Sequence, residues 1–283
     1  MTEHPGPDGI PPAGQAERDP PAGRRMAAGD ADAPLTAPLP RNAGSWAAKV
    51  DRLTVADGGS RGSNVAGRRL TGPVQGFGKM WKKTYWIEVS PNISARTVIA
   101  EWKEHFGEFW PEGNRFKGPL TSLSPGDVAL LDVSVGGGVR LSTGVFVLYA
   151  DDESFTLMTP QGHMFAGWIT FSAERADYAD DPDASPHAAT IAQAQLLMRS
   201  NDPLYELAMS LGGHRKEDQF WIRTMTALAT YLGALPTTVH SRTVCIDRKR
   251  QWGNARHVWQ NSMVRSMPHS IAAAFGRRRP SRK

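Results

Sequence analysis

Residues 142–173 read STGVFVLYADDESFTLMTPQGHMFAGWITFSA. Runs rich in β-branched and aromatic residues alternate here with turn formers, first Ala150-Asp151-Asp152-Glu153 and then Pro160-Gln161-Gly162. Such punctuation marks short strands. The spacing predicts strands over Val139–Tyr149, Ser154–Thr159 and His163–Ala173, with a hairpin turn between Thr159 and His163. The intervals leave no room for a crossover helix, so these strands must pair antiparallel.

The pattern extends in both directions. Upstream, Asp127–Val135 is a further strand ending at Gly136-Gly137-Gly138. Before it, Ser94 can cap a helix whose apolar residues Val98, Ile99, Trp102, Phe106, Phe109 and Trp110 form one stripe, stopped by Pro111. Earlier still, Trp81, Tyr85, Ile87 and Val89 alternate with Lys82, Thr84 and Glu88 in a half-buried strand over Met80–Val89, with Trp86 out of phase as an edge or pocket residue. Downstream, an acidic loop, Ala179–Pro186, leads to a strand over Ala188–Arg199.

The period then changes. Asp202 can cap a helix with Pro203 at its first position; Gly212-Gly213 interrupts it, and a second helical run carries Trp221, Met225 and Leu228 before Gly233 stops it. Strand, helix, antiparallel strands and terminal helix define an α+β class. Four regions follow: a Pro/Gly-rich disordered segment (1–44), a Gly-rich lead-in (45–79), a folded domain (80–235) and a basic, Trp-containing tail (236–283). Packed structure is expected to begin near Met80.

This element order resembles the helix-grip fold, a curved antiparallel sheet wrapped around a long C-terminal helix. The superfamily (SRPBCC) contains START-like lipid-transfer domains, birch-pollen-allergen relatives and polyketide cyclases. The segments GPVQGFGKMWKKTYW (72–86), EFWPEGNRF (108–116), 142–173 and NDPLYELAMSL (201–211) are similar to a bacterial family of that superfamily without an assigned reaction. The resemblance implies a fold and a cavity and carries over no catalytic residue. The loop Tyr178–Pro186 departs from the pattern by its length and acidity.

In such an architecture the concave sheet face and the long helix enclose a mostly apolar pocket. Alternation puts His163, Phe165, Gly167, Ile169 and Phe171 on one face, and Met164, Ala166, Trp168 and Thr170 on the other. Candidate ligand-binding residues are His163, Phe165, Trp168, Trp221, Met225 and Asp132. The inward set Ala192, Ala194, Leu196 and Met198 is expected to leave volume beside Trp221 and Met225, unless these side chains simply fill a core. His163 and the mid-strand carboxylate Asp132 are the candidates for acid–base chemistry if they meet in space. His214, Glu217 and Trp221 share a helix face, for which a solvated surface is the leading expectation and a pocket entrance the alternative.

Other chemistries lack support. One cysteine, Cys245, excludes an internal disulfide and a Cys-rich zinc site, and no HExxH is present, so no metal and no cofactor is expected. GPVQGFGKM (72–80) has Pro73 and Met80 where a phosphate loop needs Gly and Ser/Thr. No G-x-S-x-G occurs. The start MTEHPGPDGIPPAG has no apolar core of a signal, and no apolar run is long enough to span a membrane, which predicts a cytoplasmic protein.

Net charge is +5, unevenly placed: His240–Lys283 holds eleven Lys/Arg against Asp247 alone, while the other residues carry 22 Lys/Arg and 27 Asp/Glu. RKRQWGNARHVWQNSMVRSM (248–267) can form a helix with Trp252, Trp259 and Met263 along one side. Docking of this tail onto the acidic body is the leading expectation. Contact with nucleic acid or an anionic membrane through Arg248, Lys249, Arg256 and Arg277 is the alternative. The functional expectations are therefore a carrier of a small hydrophobic or aromatic molecule, a cyclase- or hydrolase-type enzyme using the same pocket, or an interaction protein tethered by its tail.

Overall fold

The computed structural model describes residues 43–55, 64–90, 92–119, 122–136, 139–175, 189–234, 238–263 and 265. The expectations for residues 1–42, the acidic loop and the basic end that includes Arg277 lie outside these residues. The strands are β1 (Met80–Val89), β2 (Arg115–Lys117), β3 (Val128–Gly136), β4 (Val139–Ala150), β5 (Ser154–Met158), β6 (Phe165–Arg175), β7 (Thr190–Ser200) and β8 (His240–Asp247). They form one antiparallel sheet in the order β2-β3-β4-β5-β6-β7-β1-β8. Chain neighbours pair from β2 through β7, as short connections require. The sheet then brings β1 back beside β7, with Met80 opposite Arg199 and Val89 opposite Thr190.

The helices lie on the inner face of this curved sheet. Helix α1 (Ala95–Glu104) starts where the Ser94 side chain accepts from the Thr97 N–H at 3.1 Å. It ends before the expected stop at Pro111, and Phe109 and Trp110 follow in turns. Helix α2 (Pro203–Ala208) is capped by Asp202, which accepts from the N–H groups of Leu204 and Tyr205. A wide turn at Met209–Gly213 leads into α3 (His214–Tyr231). The architecture is a helix-grip.

The main core joins Ile87, Phe155 and Phe171 of the sheet to Ile99 and Trp102 of α1 and to Met225 and Leu228 of α3. Each such fully buried side chain contributes roughly 1.5–3 kcal/mol through removal from water. Aromatic rings organise its centre: Phe155 stacks on Phe171 at 4.6 Å, and Trp102 and Phe106 meet Phe171 edge-on at 4.9 and 5.1 Å.

Packed structure begins well before Met80. Leu53 and Val65 are buried against Phe146 on the outer face of the sheet, with Val128, Leu130 and Leu148 packed around them. This second core explains why GVFVLYA (144–150) is apolar without alternation: Val145 and Val147 face the helices, while Phe146 and Leu148 face the lead-in.

The sheet also continues past residue 235. Strand β8 pairs along β1, with Trp81 opposite Cys245 and Trp86 opposite His240, and the Trp86 and His240 rings stack. Buried Arg199 fastens this edge: its guanidinium donates to the carbonyls of Gly78 (2.5 Å) and Lys249 (2.8 Å) and pairs with Asp247. The expected α-helix over 248–267 is instead a 3₁₀ segment, Trp252–Gln260. The backbone on either side of it is committed elsewhere. The Gln251 N–H donates to the Phe77 carbonyl, the Ser262 N–H to Gly162 and the Met263 N–H to the Tyr205 hydroxyl. Trp252 and Trp259 do not form a buried stripe; they are 73% and 84% exposed. Among the described residues no helix is long and apolar enough to cross a membrane.

Candidate functional site

A cavity of about 740 Å³ lies between the inner faces of β3–β7 and the α2–α3 segment. Its walls are Leu131, Val145, Leu157 and Ile169 from the sheet, Leu196 and Met198 from β7, Phe106 and Trp110 from the α1 end, and Phe220 and Trp221 from α3. Met263, on the C-terminal segment, contributes at the Tyr205 end. The wide turn between α2 and α3 shapes the mouth. Gly212 has φ of +111°, a conformation that disfavours any residue with a Cβ, and next to it Leu211 is left exposed on the cavity rim.

Four of the six candidate residues border this space and two do not. Phe165 and Trp221 line it, and the Trp221 ring lies 5.8 Å from that of Phe171. Trp168 borders it from β6, while its ring reaches the lead-in beside Gly72. His163 lines it from the β5–β6 turn. Met225 is fully buried in the helix–sheet core and is not a wall residue. Asp132 lies on the opposite face of β3 from Leu131 and Val133, where its carboxylate accepts from the Ser142 hydroxyl at 2.5 Å. The sheet period therefore separates His163 from Asp132. Ala192 and Ala194 are buried but are not walls; the volume lies further along β7, at Leu196 and Met198.

His163 is spent on its own turn. Its Nδ1 lies 3.0 Å from the Phe165 N–H and 3.2 Å from the Phe165 carbonyl, so that one residue holds the ring in either neutral tautomer. Burial pushes the ring down to about 4, partly offset by the backbone contact with Phe165, so it is neutral at pH 7.

The most strongly perturbed carboxylate of the wall belongs to the helix face for which a solvated surface is the leading expectation. Glu217 is 9% exposed and lines the cavity; its Oε2 accepts from the Lys83 ammonium at 2.6 Å. Lys83, itself almost fully buried on the inner face of β1, also donates to Asp218 at 2.7 Å, and Asp218 accepts from the Tyr85 hydroxyl at 2.6 Å. Burial pushes the Glu217 carboxyl up to about 7, against the pull of Lys83. The same burial and the same ammonium hold His214 below its ordinary value. The face shared by His214, Glu217 and Trp221 is thus turned toward β1 and the cavity, not toward solvent. A signal was present: Lys83 stands at the same strand parity as Tyr85, Ile87 and Val89, so a lysine at a core-facing position required a buried acid opposite it. Among the described residues no three His, Cys, Asp or Glu side chains gather as a metal site would need.

No protein-family model matches the chain, and no curated protein matches it. Solved structures do. Protein NE0264 from Nitrosomonas europaea is 13% identical over 54% of this chain and 94% of its own, with a TM-score of 0.37. The di-domain ARO/CYC StfQ from the steffimycin biosynthetic pathway is 9% identical over 55% of this chain and 51% of its own, with a TM-score of 0.39. Major latex-like protein 151 from Panax ginseng is 12% identical over 56% of this chain and 100% of its own, with a TM-score of 0.34. At these scores the likenesses carry no weight for function, and the helix-grip architecture stands on the sheet order and helix placement themselves.

Proposed function

We propose that the protein binds a small hydrophobic or aromatic molecule in the helix-grip cavity. The observation that carries this reading is an open volume of about 740 Å³ bounded mainly by aliphatic and aromatic side chains. Side chains that merely filled a core would close to native packing density and leave voids of about one water at most. The polar groups of the wall are mostly spent on the protein itself. Thr159 bonds the Gly167 backbone, Asn114 the Ser134 N–H and His163 the Phe165 backbone. Such a wall orients a ligand without competing for water.

His163 and Asp132, the polar groups named for the enzyme reading, do not meet: His163 borders the cavity in the β5–β6 turn, and Asp132 lies on the outer face of β3 against Ser142. The tether reading relied on a free tail, and residues 240–247 of that tail are a strand of the sheet. Neither is preferred here.

A fluorescent fatty acid or flavonoid is expected to bind the full chain saturably and to be displaced by apolar competitors. Ile169→Trp, which fills the space from β6, is expected to weaken that binding at least tenfold while the circular dichroism spectrum is kept. Binding of no such probe, or binding indifferent to the filled cavity, refutes the reading.

A further inference from the structure

Residues 64–79, 159–164, 201–216 and 247–265 meet at one end of the molecule, tied by hydrogen bonds. The Gln161 N–H donates to the Arg69 carbonyl, and the Ser262 N–H to the Gly162 carbonyl. The Asn254 amide donates to the Gly76 carbonyl at 3.0 Å, and the Asn261 amide to the Asp202 carboxylate at 2.8 Å. The charge of these segments is one-sided. Arg69, Arg215, Lys216, Arg248, Lys249 and Arg256 are exposed. Their acids are turned inward or paired: Asp202 is buried, Glu206 is buried against Arg250, and Asp247 pairs with Arg199. Burial, and with it the nearby charge of Arg265, holds Arg68 below its ordinary value. The same segments leave large apolar side chains in solvent. Leu207 on α2 is 56% exposed, Leu211 on the wide turn is 79% exposed, and Trp252 and Trp259 stand out from the 3₁₀ segment. With three residues per turn, Arg256 and Trp259 share one exposed side of that segment, a cation next to a ring.

We propose that this end of the molecule docks on an anionic lipid bilayer, with Trp252, Trp259, Leu207 and Leu211 entering the interface and the arginines and lysines lying over lipid phosphates. The docking goes beyond the cavity-binding reading and does not require it. Anionic headgroups supply the charge that these segments lack, and each cation near such a surface strengthens binding by about fivefold. Tryptophan, apolar in body and polar at its N–H, settles at the level of the headgroups. An aliphatic side chain such as Leu207 gains from hydrocarbon, whereas the phosphates of a nucleic acid would engage the arginines and leave it in water. A protein partner would meet cations interleaved with the apolar residues, where interface cores are depleted of charge. Leu211 also borders the cavity, so the docked face adjoins the cavity mouth.

The test mixes the full chain with vesicles of phosphatidylcholine, alone or with phosphatidylglycerol at about one lipid in three, and follows sedimentation. Acyl chains brominated near the headgroup report contact by quenching tryptophan fluorescence. The anionic vesicles are expected to bind the protein about tenfold more tightly than the neutral ones, with quenching. Residues 266–283 contain no tryptophan, so adsorption through that basic end alone leaves the fluorescence unquenched. Trp252→Ala/Trp259→Ala is expected to weaken binding by about tenfold and to remove the quenching. Because Trp252 also meets the Phe77 ring at 5.2 Å, Leu207→Gln/Leu211→Gln serves as a second variant and is expected to weaken binding by about fivefold. No binding to anionic vesicles overturns the proposal, and so does binding that gives no quenching or that both variants keep. Binding to duplex DNA with none to the vesicles also overturns it, in favour of a nucleic-acid partner.

Discussion

At the scale of single residues, the protein carries two titratable side chains whose burial works in opposite directions on stability. His163 is held at about 4 in the folded chain, below the ordinary histidine value of 6.5. Between these values the unfolded chain binds the proton and the folded chain does not. The stability linked to His163 is therefore complete above pH 6.5 and is lost as pH falls toward 4, to a total of about 3 kcal/mol. Glu217, pushed up to about 7 from 4.5, has the reverse sign: the folded chain holds its proton longer, and its contribution is lost as pH rises from 4.5 through 7. Wild-type profiles therefore mix the two. Comparison with His163→Asn isolates the first, because Asn can still accept from the Phe165 N–H but has no proton to gain. Urea unfolding at pH 7.5 and pH 5 should show the difference between wild type and variant shifting by about 2 kcal/mol in favour of the variant at pH 5. A difference that does not change with pH would mean that burial does not control the ring.

At the scale of elements, the β5–β6 turn joins the sheet to the C-terminal segment through a single glycine. Gly162 has φ of +87°, and a Cβ there would sit 2.2 Å from the Gln260 carbonyl oxygen. The Ser262 N–H also donates to the Gly162 carbonyl at 3.0 Å. Gly162→Ala should therefore strain the turn and lift the 260–262 segment together, destabilising by about 2 kcal/mol in thermal or urea unfolding. An effect below about 0.5 kcal/mol would show that the segment does not rest on the turn. The turn itself was legible in the sequence, as were β1, β4, both helix caps and the break at Gly212-Gly213, because each depends on local chemistry: a two-residue period in β1, an apolar run between turn formers in β4, a side-chain oxygen, a missing Cβ. What covers the turn was not legible. The paired strand β8 offers no burial pattern, since Val244 and Ile246 are exposed at an edge, and its pairing is set by the bare flank of β1. The same holds for the cavity. Phe165 and Trp221 follow from periodicity, whereas Asp132 and Met225 have the expected chemistry but the wrong face or depth. Glu217 gains its role from Lys83, more than a hundred residues earlier.

At the scale of the whole molecule, the basic excess that marks the C-terminal region splits into two parts with different work. Residues 240–263 belong to the folded body: they cover the open edge of β1, supply Asp247 and the Lys249 carbonyl to Arg199, and bring Met263 to the cavity. Residues 266–283 carry five of the Lys/Arg side chains and no acid. Two truncations separate these contributions. Ending the chain at Arg265 should leave the unfolding temperature unchanged and lower retention on a cation exchanger, since the net charge falls from +5 to zero. Ending it at Pro236 should do much more. The Arg199 guanidinium would stay buried with the Gly78 carbonyl as its remaining acceptor, and removing the partner of a buried charge costs on the order of 3 kcal/mol. For a chain of this size that corresponds to a fall of roughly 10 °C in unfolding temperature. The bare β1 edge would also present unpaired N–H and C=O groups to a second molecule, so size-exclusion chromatography should show dimers or larger species absent from the full chain. If the shorter chain melts with the longer ones and stays the same size in solution, β8 is an ornament on a sheet already complete at β1.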